Sequence, residues 1–299
     1  MQILVDDISN SDILQADHLI KKFDNFTAVN DVSISVKKGE IFGFLGPNGA
    51  GKTTTIRMLT TITTPTFGNI TIAGYNIQKD RINARKYLGI TQQHISLDKD
   101  ITVRENIKHH ALLQKIPRAE IEERIKEVSS LLGLEEYMDR TISSLSGGWK
   151  RKTAIVCSII HRPKILFLDE PTAGLDTRSR HMLWDLIRML NSNGTTIFLT
   201  THYIEEAESL CDRVGIMNYG RIIALGTPKE LCQKIGSMTV ELIGDDGKIY
   251  NRYFPDRSSA KEFVQATTEN YNIIRKTNLE DVFLEITGED TAADKLVRC

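Results

Sequence analysis

One glycine-rich stretch constrains this chain more than any other: Gly46-Pro47-Asn48-Gly49-Ala50-Gly51-Lys52-Thr53, with Thr54 behind it. An apolar run, Ile41-Phe42-Gly43-Phe44-Leu45, precedes it, and a helical stretch from Thr55 to Thr60 follows. The spacing G-x-x-x-x-G-K-[ST] between a buried strand and a helix makes one unit of strand, loop and helix. Glycines let successive backbone N–H groups curl round phosphate oxygens where side chains would collide. The following helix points the positive end of its dipole at the same oxygens. In such a loop Lys52 reaches the outer phosphates of a nucleotide, and the Thr53 hydroxyl ligates Mg²⁺. A nucleotide site on an α/β scaffold is the first expectation.

Length and charge narrow the class. With 299 residues, 40% hydrophobic and 26% charged, the chain suits one large globular domain plus a smaller one. Its 38 Lys and Arg nearly cancel 39 Asp and Glu, so the basic excess of a nucleic-acid binder is missing and no nucleic-acid partner is expected. No apolar run approaches the roughly 20 residues that cross a bilayer. The start, MQILVDDISN, carries two early aspartates and no basic region, unlike a signal peptide. Cys157, Cys211, Cys232 and Cys299 are scattered without C-x-x-C pairing, which fits a reducing compartment and neither a disulfide framework nor a zinc site. A cytoplasmic protein able to dock on a membrane partner follows.

Periodicity gives the organisation. Residues 1–14 read as a loose polar arm running into half-buried strands at Ile13–Ile20 and Val32–Val36. From Thr102 to Ile160 the pattern turns helical. Thr102-Val103-Arg104-Glu105 has the form of a capping box. Arg118–Leu132 places Ile121, Ile125, Val128, Leu131 and Leu132 on one face, and a third helix runs from Ser146 to Ile160. Strand signals return at Ile165–Leu168, Thr196–Thr200, Val214–Met217 and Ile222–Leu225, with a helix at Ser179–Asn191. Strands alternating with helices predict a parallel α/β core with a helical block, about residues 94–161, inserted into a domain spanning 15–235. Beyond it, 236–299 reads as a small α/β appendage. It holds a hairpin of Met238–Ile243 and Lys248–Phe254, a helix at Ser258–Asn270 and a short capped helix at Asn278–Glu285.

Two more motifs carry chemistry. Ile165-Leu166-Phe167-Leu168 ends in Asp169-Glu170, two acids at the carboxyl edge of a strand, where open α/β sheets bind ligands. In this Walker B-like position Asp169 holds Mg²⁺ and Glu170 acts as general base on the attacking water. Leu145-Ser146-Gly147-Gly148 then opens a helix with Ser146 at its N-cap and two glycines baring backbone amides, a second phosphate site.

With these motifs in this order, residues 15–226 resemble the ATP-binding cassette family, whose signature is L-S-G-G-Q. The resemblance implies a P-loop NTPase with a RecA-like parallel core, an antiparallel β subdomain and an inserted helical subdomain. It implies ATP and Mg²⁺ as cofactors, the ATP held by Gly46–Thr54, and a head-to-tail pair in which Ser146, Gly147 and Gly148 close on the ATP of the partner. By the same resemblance Phe23 stacks on adenine, Gln93 senses Mg²⁺ and water at the Q-loop, Asp176 in Ala173-Gly174-Leu175-Asp176 faces the partner, and His202 is the switch histidine at the γ-phosphate. The signature's fifth position is Trp149 in place of Gln, which leaves the backbone amides and Ser146 to carry the phosphate contact.

The tail sequence Leu279-Glu280-Asp281-Val282-Phe283-Leu284 and the run Leu97–Asn106 resemble ATPase subunits of multidrug, antibiotic-resistance and sodium-efflux exporters. The implied function is an ATP-hydrolysing subunit, peripheral on the inner face of the cell membrane. There it pairs with a second cassette as a homodimer and drives export through a separate integral-membrane permease. The alternative is a soluble, non-transport or regulatory member of the same family. Members that act on ribosomes carry two cassettes, and those that act on DNA carry a long coiled coil; this chain has one Walker A, one signature and no sustained heptads.

Overall fold

A computed structural model describes residues 12–244, 247–267 and 270–288, with side chains omitted at 270–272. The central sheet has six strands in the order β10-β9-β3-β8-β7-β6. These are β3 (Ile41–Leu45), β6 (Leu88–Thr91), β7 (Ile165–Asp169), β8 (Thr196–Thr201), β9 (Arg213–Asn218) and β10 (Arg221–Gly226). Five run parallel, and β10 turns back antiparallel on β9. Because successive side chains point to opposite faces, each central strand feeds two cores. Phe42, Phe44, Phe167 and Phe198 meet on one face, with ring centroids 5.1–5.5 Å apart. Ile41, Leu45, Leu166, Leu168, Ile197 and Leu199 pack on the other. Each such burial contributes roughly 1.5–3 kcal/mol.

Against the phenylalanine face lies a four-stranded antiparallel sheet, order β2-β1-β4-β5, from β1 (Asp12–Phe23), β2 (Phe26–Lys37), β4 (Phe67–Ile72) and β5 (Tyr75–Asn76). The same core takes α1 (Lys52–Leu59). The opposite face carries the helical block: α3 (Val103–Leu113), α4 (Arg118–Leu132) and α5 (Gly147–Ile159), with α6 (Thr177–Ser192) and α7 (Ile204–Leu210) beside them. A short α2 (Arg81–Arg85) precedes β6. The capping box at Thr102 and Glu105 forms in both directions.

Four expectations shift. The strand β1 begins at Asp12, inside the expected arm, because Ile13 and Leu14 are buried; residues 1–11 lie outside the described residues. The first helix begins at Lys52, so the end of the glycine loop is already its first turn. Leu131 is exposed, since it sits roughly 80° round from the Ile121, Ile125, Val128 and Leu132 stripe. The helix expected over Ser258–Asn270 is α9 (Arg257–Ala266), and β13 (Asn270–Lys276) is a strand, as the β-branched Ile273-Ile274 favours.

The tail forms a three-stranded antiparallel sheet, order β12-β11-β13, with β11 (Met238–Ile243) central and β12 (Ile249–Phe254) and β13 at its edges. Helix α9 covers one face through Ala260 and Phe263. On the other, Asp281 of α10 (Leu279–Thr287) takes a bidentate contact from Arg275 at 2.6 and 2.8 Å and a hydrogen bond from Thr239 at 3.1 Å. Helix α10 turns Leu279, Val282 and Phe283 the other way, into the main core against α7 and α8 (Pro228–Ile235). The turn residues Asp245 and Asp246, the end of the expected appendage and Cys299 lie outside the described residues; Cys157, Cys211 and Cys232 are buried and free.

Candidate active site

The glycine loop hands its backbone amides to a cradle at the end of β3. Gly51 caps α1 with φ 102° and no side chain, so the first-turn amides have no capping partner and no acidic neighbour in that turn. A Cβ on Gly51 would come within 2.7 Å of the Ala28 carbonyl, which closes the position to any other residue. The cradle is a cavity of ≈ 400 Å³ lined by Phe26, Ala28, Asn48, Gly49, Gly51, Lys52, Thr53, Thr54, Gln93 and Glu170.

Lys52 is the buried cation of this cavity. Its Nζ donates to the Gly46 carbonyl at 2.6 Å and the Pro47 carbonyl at 3.0 Å, and lies 3.8 Å from Glu170 Oε1. Burial pulls its ammonium below the usual lysine range, while Glu170 and Asp169 oppose that pull. The Thr53 hydroxyl donates to Asp169 Oδ1 at 3.3 Å. An alcohol and a carboxylate beside a phosphate cradle are hard oxygen donors of the kind Mg²⁺ takes, one or two at a time with phosphate and water filling the rest. Among the described residues there is no cluster of three or more His, Cys, Asp or Glu that could hold a metal ion.

Three of the predicted catalytic side chains converge. Gln93 Nε2 donates to Glu170 Oε2 at 3.1 Å, and His202 Nδ1 lies 3.3 Å from the same oxygen without hydrogen-bond geometry. Glu170 holds φ 47°, a left-handed conformation rare for a side chain of its size. Gln92 does not line the cradle; it lines an adjoining groove and, with Gln93, Thr53 and Asp169, a smaller cavity between the two. Phe23 is about half exposed, with Lys21 over its ring at 5.0 Å; the cavity wall carries Phe26, its register partner across the β1–β2 turn. Asp176 caps α6, accepting from the Ser179 amide at 2.9 Å and hydroxyl at 2.7 Å, and is exposed.

The signature stands apart from the cavity. Ser146 is the exposed N-cap of α5 and makes no side-chain cap bond. Gly148 is buried for a packing reason: a Cβ there would meet Ser179 Oγ at 2.7 Å, so α6 can lie close. Trp149 points into the helical block, its ring stacked on Tyr137 at 3.8 Å with Lys152 over it at 4.7 Å.

Sequence reasoning missed Phe26, Thr200, Arg151 and Glu206. The Thr200 hydroxyl donates to Asp169 Oδ1 at 2.6 Å and accepts from the Glu170 amide at 3.1 Å, fixing both acids from the next strand. The parallel pairing of β7 with β8, which sets Asp169 opposite Thr200, is the signal that finds it. Glu206 is fully buried, accepting from Thr172 at 2.8 Å and Trp184 at 3.1 Å. Burial pushes its carboxyl above the usual range, against the Thr201, Thr172 and Trp184 side chains and Arg180. A raised folded value means its stabilisation is whole below about pH 4.3, the unfolded value, and is lost as pH rises through the folded one. Glu206→Gln, neutral throughout, therefore gains in melting temperature over the parent as pH rises above about 4.3. The shift is about 2–4 °C per kcal/mol by differential scanning fluorimetry. A constant difference across that range would remove Glu206 from the pH dependence.

Comparison with known proteins agrees with this geometry. A family model described as "ABC transporter" matches residues 29–173. The Nod factor export ATP-binding protein I of Ralstonia nicotianae is 37% identical, over 95% of this chain and 96% of its own length. The linearmycin resistance ATP-binding protein LnrL of Bacillus subtilis is 41% identical over 76% of this chain and 73% of its own. The solved structure of cbiO1 from Clostridium perfringens, part of the ABC transporter complex cbiONQ, superposes with a TM-score of 0.68 at 32% identity, covering 74% of this chain and 90% of that one. A phosphate cradle, a strand-end acid pair and a detached signature helix, in a chain alignable with such relatives nearly end to end, place this protein in the ABC transporter family as an ATP-binding, ATP-hydrolysing subunit.

Proposed function

We propose that this ATPase drives export through a separate membrane permease, as a head-to-tail pair of identical copies. The observation that carries the pairing is the position of the signature: its bare, exposed helix end takes no part in lining a cradle that already has its own amides, lysine and acid. Two ATP molecules would then lie between copies, each held by the cradle of one and the Ser146–Gly148 amides of the other. Among the described residues no helix is long and apolar enough to cross a membrane; in this reading a separate permease takes up the movement. A groove of ≈ 250 Å³ between the helical block and the core, lined by Ile62, Gln92, His94, Leu97 and His110, suits that contact on the inner membrane face. Gln92 lines the groove and its neighbour Gln93 lines the cradle, which offers a short route for a movement from one to the other. Export, rather than import, is supported by the relatives that serve Nod factor export and linearmycin resistance.

In the chemical step Glu170 takes the proton of the attacking water, with Gln93 fixing its Oε2 and His202 at hand beside the same oxygen. Lys52 supplies positive charge at the outer phosphates, and the loop amides hold the rest. Thr53 and Asp169 would hold Mg²⁺, which when bound offsets phosphate charge. Binding of both nucleotides closes the pair, and hydrolysis reopens it.

The test uses Glu170→Gln as bait, with ATP and Mg²⁺, on detergent-solubilised membranes of the source cell. A multi-span protein recovered at near-equal stoichiometry is the expected result. Recovery of ribosomes, DNA or soluble proteins alone would overturn the transport reading and leave the ATPase chemistry standing.

A further inference from the structure

Arg151 is the least explained charged residue in the molecule. It stands on the second turn of α5 and is only 3% exposed. Its guanidinium donates to five backbone carbonyls: Pro171 at 2.7 Å, Gln92 at 2.7 Å, Gln93 at 3.0 Å, Asp169 at 3.4 Å and Glu170 at 2.5 Å. Among the described residues it forms no ion pair with a carboxylate. Burying a cation is costly, and here the charges of Asp169, Glu206 and Glu170 oppose that cost without reversing it. Stability alone is a poor reason to keep it there.

What those carbonyls have in common is position. They belong to the ends of two adjacent parallel strands, β6 and β7, and to the residues that follow them. Those same ends carry Gln93 and Glu170, whose side chains meet at 3.1 Å. The shortest of the five bonds goes to the carbonyl of Glu170, the residue whose φ of 47° must be held against its own preference. A planar fork with five N–H donors can span both strand ends at once; the three donors of a lysine ammonium cannot reproduce that spread. On its own helix, Arg151 lies five residues after Ser146, roughly 7.5 Å along the axis from the exposed end that bares its amides.

We infer that Arg151 is a positioning residue for hydrolysis: it clamps the backbone of Glu170 to that of Gln93 and ties both to the signature helix. A small displacement of α5, when its N-terminus engages the nucleotide of the partner, is thereby delivered to the general base. This inference rests on Glu170 being that base and on the head-to-tail pairing.

The test is a double-mutant cycle of Arg151 with Glu170. Arg151→Met lowers kcat for ATP hydrolysis ~10–100-fold, with the Kd for a fluorescent ATP analogue moved less than ~3-fold. Arg151→Lys, which keeps the charge but cannot span both strand ends, still lowers kcat ~5–30-fold. In the Glu170→Gln background, followed by single-turnover hydrolysis of radiolabelled ATP, Arg151→Lys and Arg151→Met cause no further fall, because the group they position is gone. A residue that merely supports the fold would lower the residual rate by the same factor in both backgrounds, and that outcome overturns the inference. So would a loss expressed in Kd with kcat intact. Should Arg151→Met not fold, Arg151→Lys carries the same cycle by itself. Near-normal turnover in Glu170→Gln alone would instead strike the general-base reading, which the cycle reports separately.

Discussion

Replacing Glu170 with glutamine lowers kcat for ATP hydrolysis by ~10²–10⁴-fold and leaves ATP affinity unchanged or tighter. The amide has the shape of the carboxylate and keeps an acceptor for Gln93 Nε2, but it cannot take a proton at neutral pH. The change also removes one of two negative charges from around Lys52, whose Nζ lies 3.8 Å from Glu170 Oε1. Less repulsion then meets an incoming triphosphate. Steady-state phosphate release gives the first quantity, and titration with a fluorescent ATP analogue gives the second. Turnover within a few-fold of the parent would assign the proton to another group, with His202 the nearest.

Ser146→Arg abolishes the ATP-dependent pair and with it hydrolysis, by ~10²–10³-fold, the scale of losing a preorganised donor. The substitution puts a long side chain at the exposed end of α5, where Ser146 makes no cap bond and its loss costs the fold little. ATP binding to each separate copy persists, since no residue of the signature lines the cradle. Light scattering in a Glu170→Gln background, where the closed pair is trapped, reads the association directly. A pair of undiminished size would contradict the trans arrangement. Melting temperature serves as the control for folding.

The catalytic core was legible because its signals are local. The strands β3, β7 and β8 are short apolar runs that end in polar residues with chemistry, and a buried parallel strand needs nothing else to be recognised. The acids Asp169 and Glu170 follow directly from such a run. Harder to read were β4 and β6, where Gly68 and Gly89 interrupt runs of only six and four residues. Residues set by register or burial were not legible at all. Phe26 reaches the cavity because the β1–β2 turn places it opposite Phe23, and either ring looks like core in a linear text. A basic residue on a helix beside Lys150 and Lys152 reads as solvated, so Arg151 gave no sign of its five carbonyls. Trp149, a departure from the signature, is explained by its stack on Tyr137 and the Lys152 ammonium over its ring.

The placement of α10 bears on how the protein is made. Leu279, Val282 and Phe283 complete the core against Ala207, Leu210 and Leu231, yet they are among the last described residues to be synthesised. Domains fold as they emerge, N-terminal parts first. The ATPase core therefore keeps an apolar flank open until α10 has left the ribosome. A copy whose translation stops short of Leu279 can carry every nucleotide-binding residue and still present that flank to chaperones and proteases.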